Sequence, residues 1–156
     1  MCGVAGSGKT MYAQRLEAEG YVRLSIDEEV WNRFGRYAID YDPGQYHEHS
    51  AAAGSALRER LVSLIQQGRY VVVDFSFWQR ARREHYKRLI EDVGGRWRLL
   101  YLEVDPAPLR QRLDERSRRF DAKAAFPITK DLLTSYLPDF EEPNGEGEEI
   151  LTSPSS

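Results

Sequence analysis

With Cys2 its only cysteine, the chain cannot close a disulfide within itself, and a reducing cytoplasm is the expected setting. It holds no apolar run near the roughly 18 residues of a membrane span. Its amino terminus has no signal-peptide pattern, so no membrane partner is expected. Nor does one charge dominate. A total of 22 Lys and Arg face 25 Asp and Glu, and the net charge of −3 argues against holding nucleic acid by bulk electrostatics. A local basic groove stays open, because arginines crowd the middle of the chain while its end is acidic. There is no internal repeat and no long linker. Residues 1–151 read as one domain and 152–156 as a short polar tail.

What is present is an alternation. Strand-like runs at 21–25, 70–74 and 97–103, with a weaker one at 149–152, are separated by helical patterns near 9–19, 45–67, 77–93, 106–117 and 129–137. Leu57, Leu61, Leu64 and Ile65 recur at helical spacing and stop at Gly68. Asp105 followed by Pro106 has the form of an N-cap with proline at the first helical position. Strands alternating with helices imply an α/β fold, a parallel sheet sandwiched by helices.

The chemistry starts at Gly3-Val4-Ala5-Gly6-Ser7-Gly8-Lys9-Thr10, which fits G-x-x-x-x-G-K-[ST] at every fixed position. Gly3, Gly6 and Gly8 let the backbone turn tightly, so that N–H groups around Ser7 point inward at phosphate oxygens. The following helix adds its N-terminal dipole. Lys9 suits the β and γ oxygens of a nucleoside triphosphate, and the Thr10 hydroxyl suits Mg²⁺. Such a loop joins a strand to a helix, yet only Met1 and Cys2 precede Gly3. In the usual 2-3-1-4-5 strand order of P-loop kinases the first strand is central, and here it reads as absent or truncated.

Two further absences bear on the reaction. Asp74 ends an apolar strand where a second aspartate supports Mg²⁺, but Phe75 stands where many P-loop ATPases carry a water-orienting glutamate. The Asn-Lys-x-Asp guanine signature is missing as well. Both favour transfer to a hydroxyl over hydrolysis. Asp27, just beyond strand 21–25, is placed to take the acceptor's proton. Alternatively it caps the helix that follows. Arg112, Arg116 and Arg119 lie one turn apart on the helix from Pro106 and its continuation. Arginine's planar fork suits a triphosphate (Arg112) and the charge on a transferring phosphoryl group (Arg116, Arg119), although surface ion pairing is the alternative for each. Trp31 and Phe34 can stack on a planar acceptor or pack in the core. Arg80 and Arg83 can meet an anionic acceptor or simply solvate a helix. His47 and His49 are two apart and do not face the same way, which speaks against zinc.

Residues 3–10, Ser25-Ile26-Asp27, the run from Val73 through Asp74 to Trp78 with Arg80 and Arg83, and Tyr101 through Asp105-Pro106 together resemble a bacterial family. Its members are small P-loop kinase-like proteins often labelled ATP-binding or AAA-type. That family is similar to the kinase domain of polynucleotide kinase, chloramphenicol phosphotransferase and zeta toxins. The resemblance implies ATP and Mg²⁺ as cofactors, Asp27 as the base and a lid near 116–128 that includes Arg118, Arg119 and Phe126-Pro127. The expected function is transfer of the γ-phosphate to a small-molecule hydroxyl, on an antibiotic or nucleoside-like metabolite. A nucleic-acid 5′-hydroxyl acceptor and a non-catalytic nucleotide-binding module are the alternatives.

Overall fold

The computed structural model describes residues 1–4, 6–104, 111, 115 and 139–152. Its elements run α1 (Lys9–Ala18), β1 (Val22–Ser25), α2 (Ile26–Phe34), a 3₁₀ turn (Pro43–Gln45), α3 (Tyr46–Gln66), β2 (Val71–Asp74), α4 (Arg80–Asp92), β3 (Leu99–Glu103) and β4 (Glu148–Thr152). Apart from Gln111 and Glu115, the expected helix at 106–117 lies outside the described residues, as do the helix at 129–137, the lid at 116–128 and the last four residues.

Helix ends follow from the glycines. α1, α3 and α4 are followed by Gly20, Gly68 and Gly94, each at positive φ. After α3 the Gly68 N–H donates to Ile65 O at 2.9 Å and the Arg69 N–H to Leu64 O at 3.0 Å, the paired bonds of a Schellman motif. α3 buries Ala53, Leu57, Leu61 and Leu64 on one stripe, and each buried leucine contributes about 1.5–3 kcal/mol. α4 starts three residues later than the pattern at 77–93 predicts. Phe77 takes φ 48 and Gln79 is extended at the N-cap, so the chain cannot be helical there.

The strands pair in parallel. β1 lies on β2 with Ser25 opposite Asp74, and β3 lies on β4 with Leu99 opposite Glu148. Between the two pairs sits the beginning of the chain. The Met1 amino group donates to Val73 O at 3.0 Å, the Cys2 N–H donates to Leu100 O at 2.7 Å, and the Leu102 N–H donates to Cys2 O at 2.9 Å. The order β1, β2, Met1–Cys2, β3, β4 is therefore 2-3-1-4-5, with two residues holding the place of the central strand. Helices cover both faces. Ala13 of α1 packs with Met1, Val72, Leu100 and Leu102 on one side. On the other, Leu57 and Leu61 of α3 and Tyr86 of α4 pack with Cys2, Leu24, Phe75 and Tyr101.

The segment before β4 is fastened from inside. Arg83 donates from Nε to Glu146 Oε1 at 3.0 Å and from a terminal nitrogen to Oε2 at 2.8 Å, with both side chains at most 1% exposed. A second terminal nitrogen donates to Phe77 O at 2.8 Å and Trp78 O at 3.2 Å. Lys87 donates to Glu146 O at 2.8 Å and stands 4.5 Å over the Trp97 ring. Burial opposes a charged Glu146, but the hydrogen bonds and charge of Arg83 prevail and lower its pKa.

Candidate active site

The phosphate loop is built by close approach. A Cβ placed on Gly3 would stand 2.7 Å from Ser7 Oγ and 3.0 Å from Leu102 O, so only glycine fits. Gly8 is the N-cap of α1 at φ 93, and no side chain caps the helix. No acidic residue occupies its first turn either. The amides at this end are thus not competed for by a capping carboxylate or hydroxyl, the condition for an anion to bind there. Lys9 is buried, and its ammonium donates to Gly3 O at 2.9 Å and Val4 O at 2.8 Å, with Ser7 Oγ at 3.5 Å. Those contacts hold the cation inside the loop. Thr10 is half-buried in the first turn of α1.

Asp74 ends β2 beside Ser25, as the strand pattern predicts. The sequence did not single out its partner. Arg23, 4% exposed, donates to Asp74 Oδ2 at 3.2 Å, to Glu17 Oε2 at 3.3 Å and to Glu28. Burial disfavours the Arg23 charge, but these carboxylates outweigh it and raise its pKa. One positive charge faces three negative ones, so the cluster keeps an excess of negative charge next to the phosphate loop. The signal was available: Arg23 and Ser25 share a face of β1 by the two-residue period, and Ser25 lies opposite Asp74. The Met1 amino group is also close by. Burial pushes it down to about 6, opposed by the Asp74 charge.

Asp27 stands in the first turn of α2, half-buried, and it is not the cap. Ser25 is the N-cap, its Oγ accepting from the Glu28 N–H at 3.4 Å. The capping alternative for Asp27 is thereby corrected, because the extended residue that leaves the strand supplies the acceptor. A neighbour not anticipated as a site residue is Tyr41. Its hydroxyl is buried without a hydrogen-bond partner among the described residues. Burial first, then the charges of Tyr37 and Asp27, raise its pKa.

The other expected site residues separate. Trp31 is half-buried on α2, whereas Phe34 stacks on His49 with centroids 3.8 Å apart. Phe34 is thus a packing residue. Arg80 opens α4 with its side chain exposed, its backbone N–H donating to Glu141 Oε2 at 2.8 Å. Arg83 is corrected outright: its guanidinium is buried and committed to Glu146 and two carbonyls, so it cannot meet an acceptor. Cys2 is fully buried and burial raises its thiol pKa, the setting of a core residue. Arg112, Arg116 and Arg119 lie outside the described residues.

A family model described as an AAA domain matches residues 1–143 of the chain. The chain belongs to that family. No curated protein matches it by sequence. Among solved structures it is similar to a gluconokinase from Sinorhizobium meliloti 1021. The identity is 23% and the TM-score 0.64, over 99% of this chain and 81% of that one. The chain is therefore a small P-loop kinase-like protein with the fold of a P-loop kinase. Among the described residues no helix is long and apolar enough to cross a membrane.

Proposed function

We propose that the chain is an ATP-dependent phosphotransferase that moves the γ-phosphate to a hydroxyl of a small molecule. The observation that carries this reading is the helix end at Gly8: uncapped by any side chain, free of acidic residues and joined to the buried Lys9. The residues fit Mg²⁺-ATP. The loop amides of Gly6, Ser7 and Gly8 with Lys9 and Arg112 would hold the phosphates, and Thr10 with Asp74 would hold the ion, favoured by the carboxylate excess around Arg23. When bound, the nucleotide supplies the phosphoryl group and leaves as ADP, with the ion offsetting charge on its oxygens.

The protein's own part is positioning and proton transfer. Asp27 accepts the proton of the acceptor hydroxyl as that oxygen bonds to the γ-phosphorus and the bond to the β-bridging oxygen breaks. Arg116 and Arg119 offset the charge on the transferring group. Trp31 and Arg80 face the acceptor. The experiment is Lys9→Ala with Mg²⁺-ATP titrated calorimetrically, followed by transfer of label from γ-labelled ATP to a panel of hydroxyl compounds. Removing the loop's cation is expected to weaken nucleotide binding about ten- to hundredfold, the scale of one or two charge-assisted hydrogen bonds. Transfer is expected to vanish. Unchanged affinity in Lys9→Ala would sink the phosphate-loop assignment.

A further inference from the structure

Between α3 and α4 lies a cleft of about 400 Å³ lined by His47, Ser50, Ser55, Arg58, Arg82 and His85, with no carboxylate in its walls among the described residues. Neither Arg58 nor Arg82 has a carboxylate partner among the described residues, unlike the buried pair at Arg83. Arg58 is half-buried on α3 and Arg82 is exposed on α4, its guanidinium 5.8 Å from the Phe75 ring centroid. In a chain of net charge −3, two guanidiniums without a carboxylate partner among the described residues, together with hydroxyls and imidazoles on one concavity, are set up for an oxyanion.

The cleft opens on the edge of the sheet that carries the chemistry. β2 ends at Asp74 and α4 begins at Arg80, so the first turns of α4 stand at the carboxyl ends of the strands. α3 runs back toward the start of β2, which puts its first half at that same edge. Two contacts join the cleft to the candidate active site. Gly54, in its wall, backs onto Ile26, whose Cδ1 lies 4.0 Å from where a Cβ would stand, and Asp27 is the next residue. Tyr86, also in its wall, packs edge-on against Phe75 with centroids 5.8 Å apart, and Phe75 follows Asp74.

We propose that this cleft is the anchoring half of the acceptor site. It binds a carboxylate or phosphate on the acceptor through Arg58 and Arg82, while the acceptor's hydroxyl extends toward Asp27. The inference rests on the phosphotransferase reading for the role of the bound acid but not for the binding itself. The selectivity is then for polyhydroxylated acids or phosphate esters over neutral polyols.

Three probes with one open-chain carbon skeleton separate these cases: D-gluconate, D-glucitol 6-phosphate and D-glucitol. Binding to the full chain is read by calorimetry and by NMR shifts of the His47 and His85 rings. At least one anionic probe is expected to bind about tenfold or more tightly than D-glucitol and to shift both rings. Whichever anion binds more tightly tells carboxylate from phosphate. Arg82→Gln, at an exposed position, is expected to weaken that binding about tenfold, and Arg58→Gln to do the same in protein whose melting temperature shows it folded. Mg²⁺-ATP binding should be unchanged in both. Equal binding of all three probes, no binding, or anion binding indifferent to both substitutions would overturn the proposal. The Lys9→Ala experiment tests the phosphotransferase reading separately, since neither arginine touches the phosphate loop.

Discussion

Arg23 and Arg83 are both buried guanidiniums, yet they serve opposite ends. Arg83 meets Glu146 in a two-pronged bond and donates also to two carbonyls and the Cys2 sulfur. Lys87, paired with Glu84, stands 3.9 Å from the same carboxylate, so two cations face two carboxylates and the charges balance. Arg83 fastens the segment around Glu146 to α4. Arg23 meets Asp74, Glu28 and Glu17, and the balance is left negative. A matched ion pair belongs to the fold, because any partner's loss leaves a charge stranded in the interior. On the proposed phosphotransferase reading, an unmatched cluster at the edge of a phosphate loop would suit a cation that arrives with a ligand.

The largest effect should fall on the chemical side of this contrast. Asp27→Asn removes a proton acceptor but not the helix cap, which Ser25 provides. Transfer to the acceptor is expected to drop by roughly 10²–10⁴ in a label-transfer assay. Melting temperature and ATP affinity should hold. Full activity in this variant would remove Asp27 from the reaction and leave the chemical side to the Arg23 cluster alone.

Next comes the fold side. Glu146→Ala strands the Arg83 charge and should cost about 3–5 kcal/mol by denaturant titration. Replacing both partners by apolar residues, Arg83→Met with Glu146→Leu, should recover much of that loss. A Glu146→Ala protein as stable as the parent would show that the pair does not fasten this segment.

Asp74→Asn tests whether the Arg23 cluster is set for an ion. Arg23 keeps Glu17 and Glu28, so stability should fall by only about 1 kcal/mol. The Mg²⁺ concentration for half-maximal ATP binding should rise about tenfold, the loss of roughly one charge-assisted contact. A binding defect independent of Mg²⁺ would assign Asp74 to structure alone, like Arg83.

The smallest effect belongs to an exposed pair. Hydrogen bonds from the Arg36 side chain and backbone hold Asp40 down at about 2, below its ordinary 3.8. A depressed carboxylate contributes stability that is fully present above the unfolded value and lost as pH falls through the folded one. Between about pH 4 and pH 2, Asp40→Asn should therefore flatten part of the decline in melting temperature seen in the parent. Above pH 5 the pH dependence of the two proteins should run in parallel. Curves of identical shape throughout would show that solvent screens the pair completely.

Strand and helix periodicity placed β1 to β4, α1 and α3 to within two residues, and Gly68 marked the true end of α3. It failed at the start of α4, because the left-handed Phe77 is set by a bond from Arg83 to its carbonyl, a contact six residues away. It failed again at Arg83 itself. A string of arginines on one helix reads as a basic face, and nothing local says which of them turns inward to meet Glu146, 63 residues away.

The phosphate loop, the alternation of strands and helices and the strand-end aspartates were legible from the sequence alone, because each depends on residue types at short, fixed spacings. Only the tertiary structure decided which charges are neutralised. It matched Arg83 to Glu146, gathered three carboxylates on Arg23 and left Arg58 and Arg82 facing a cleft, since pairing across the fold depends on strand order and helix rotation. It also showed Met1 and Cys2 bonded between β2 and β3, because the neighbouring strands present carbonyls and amides that two residues of backbone are enough to bridge.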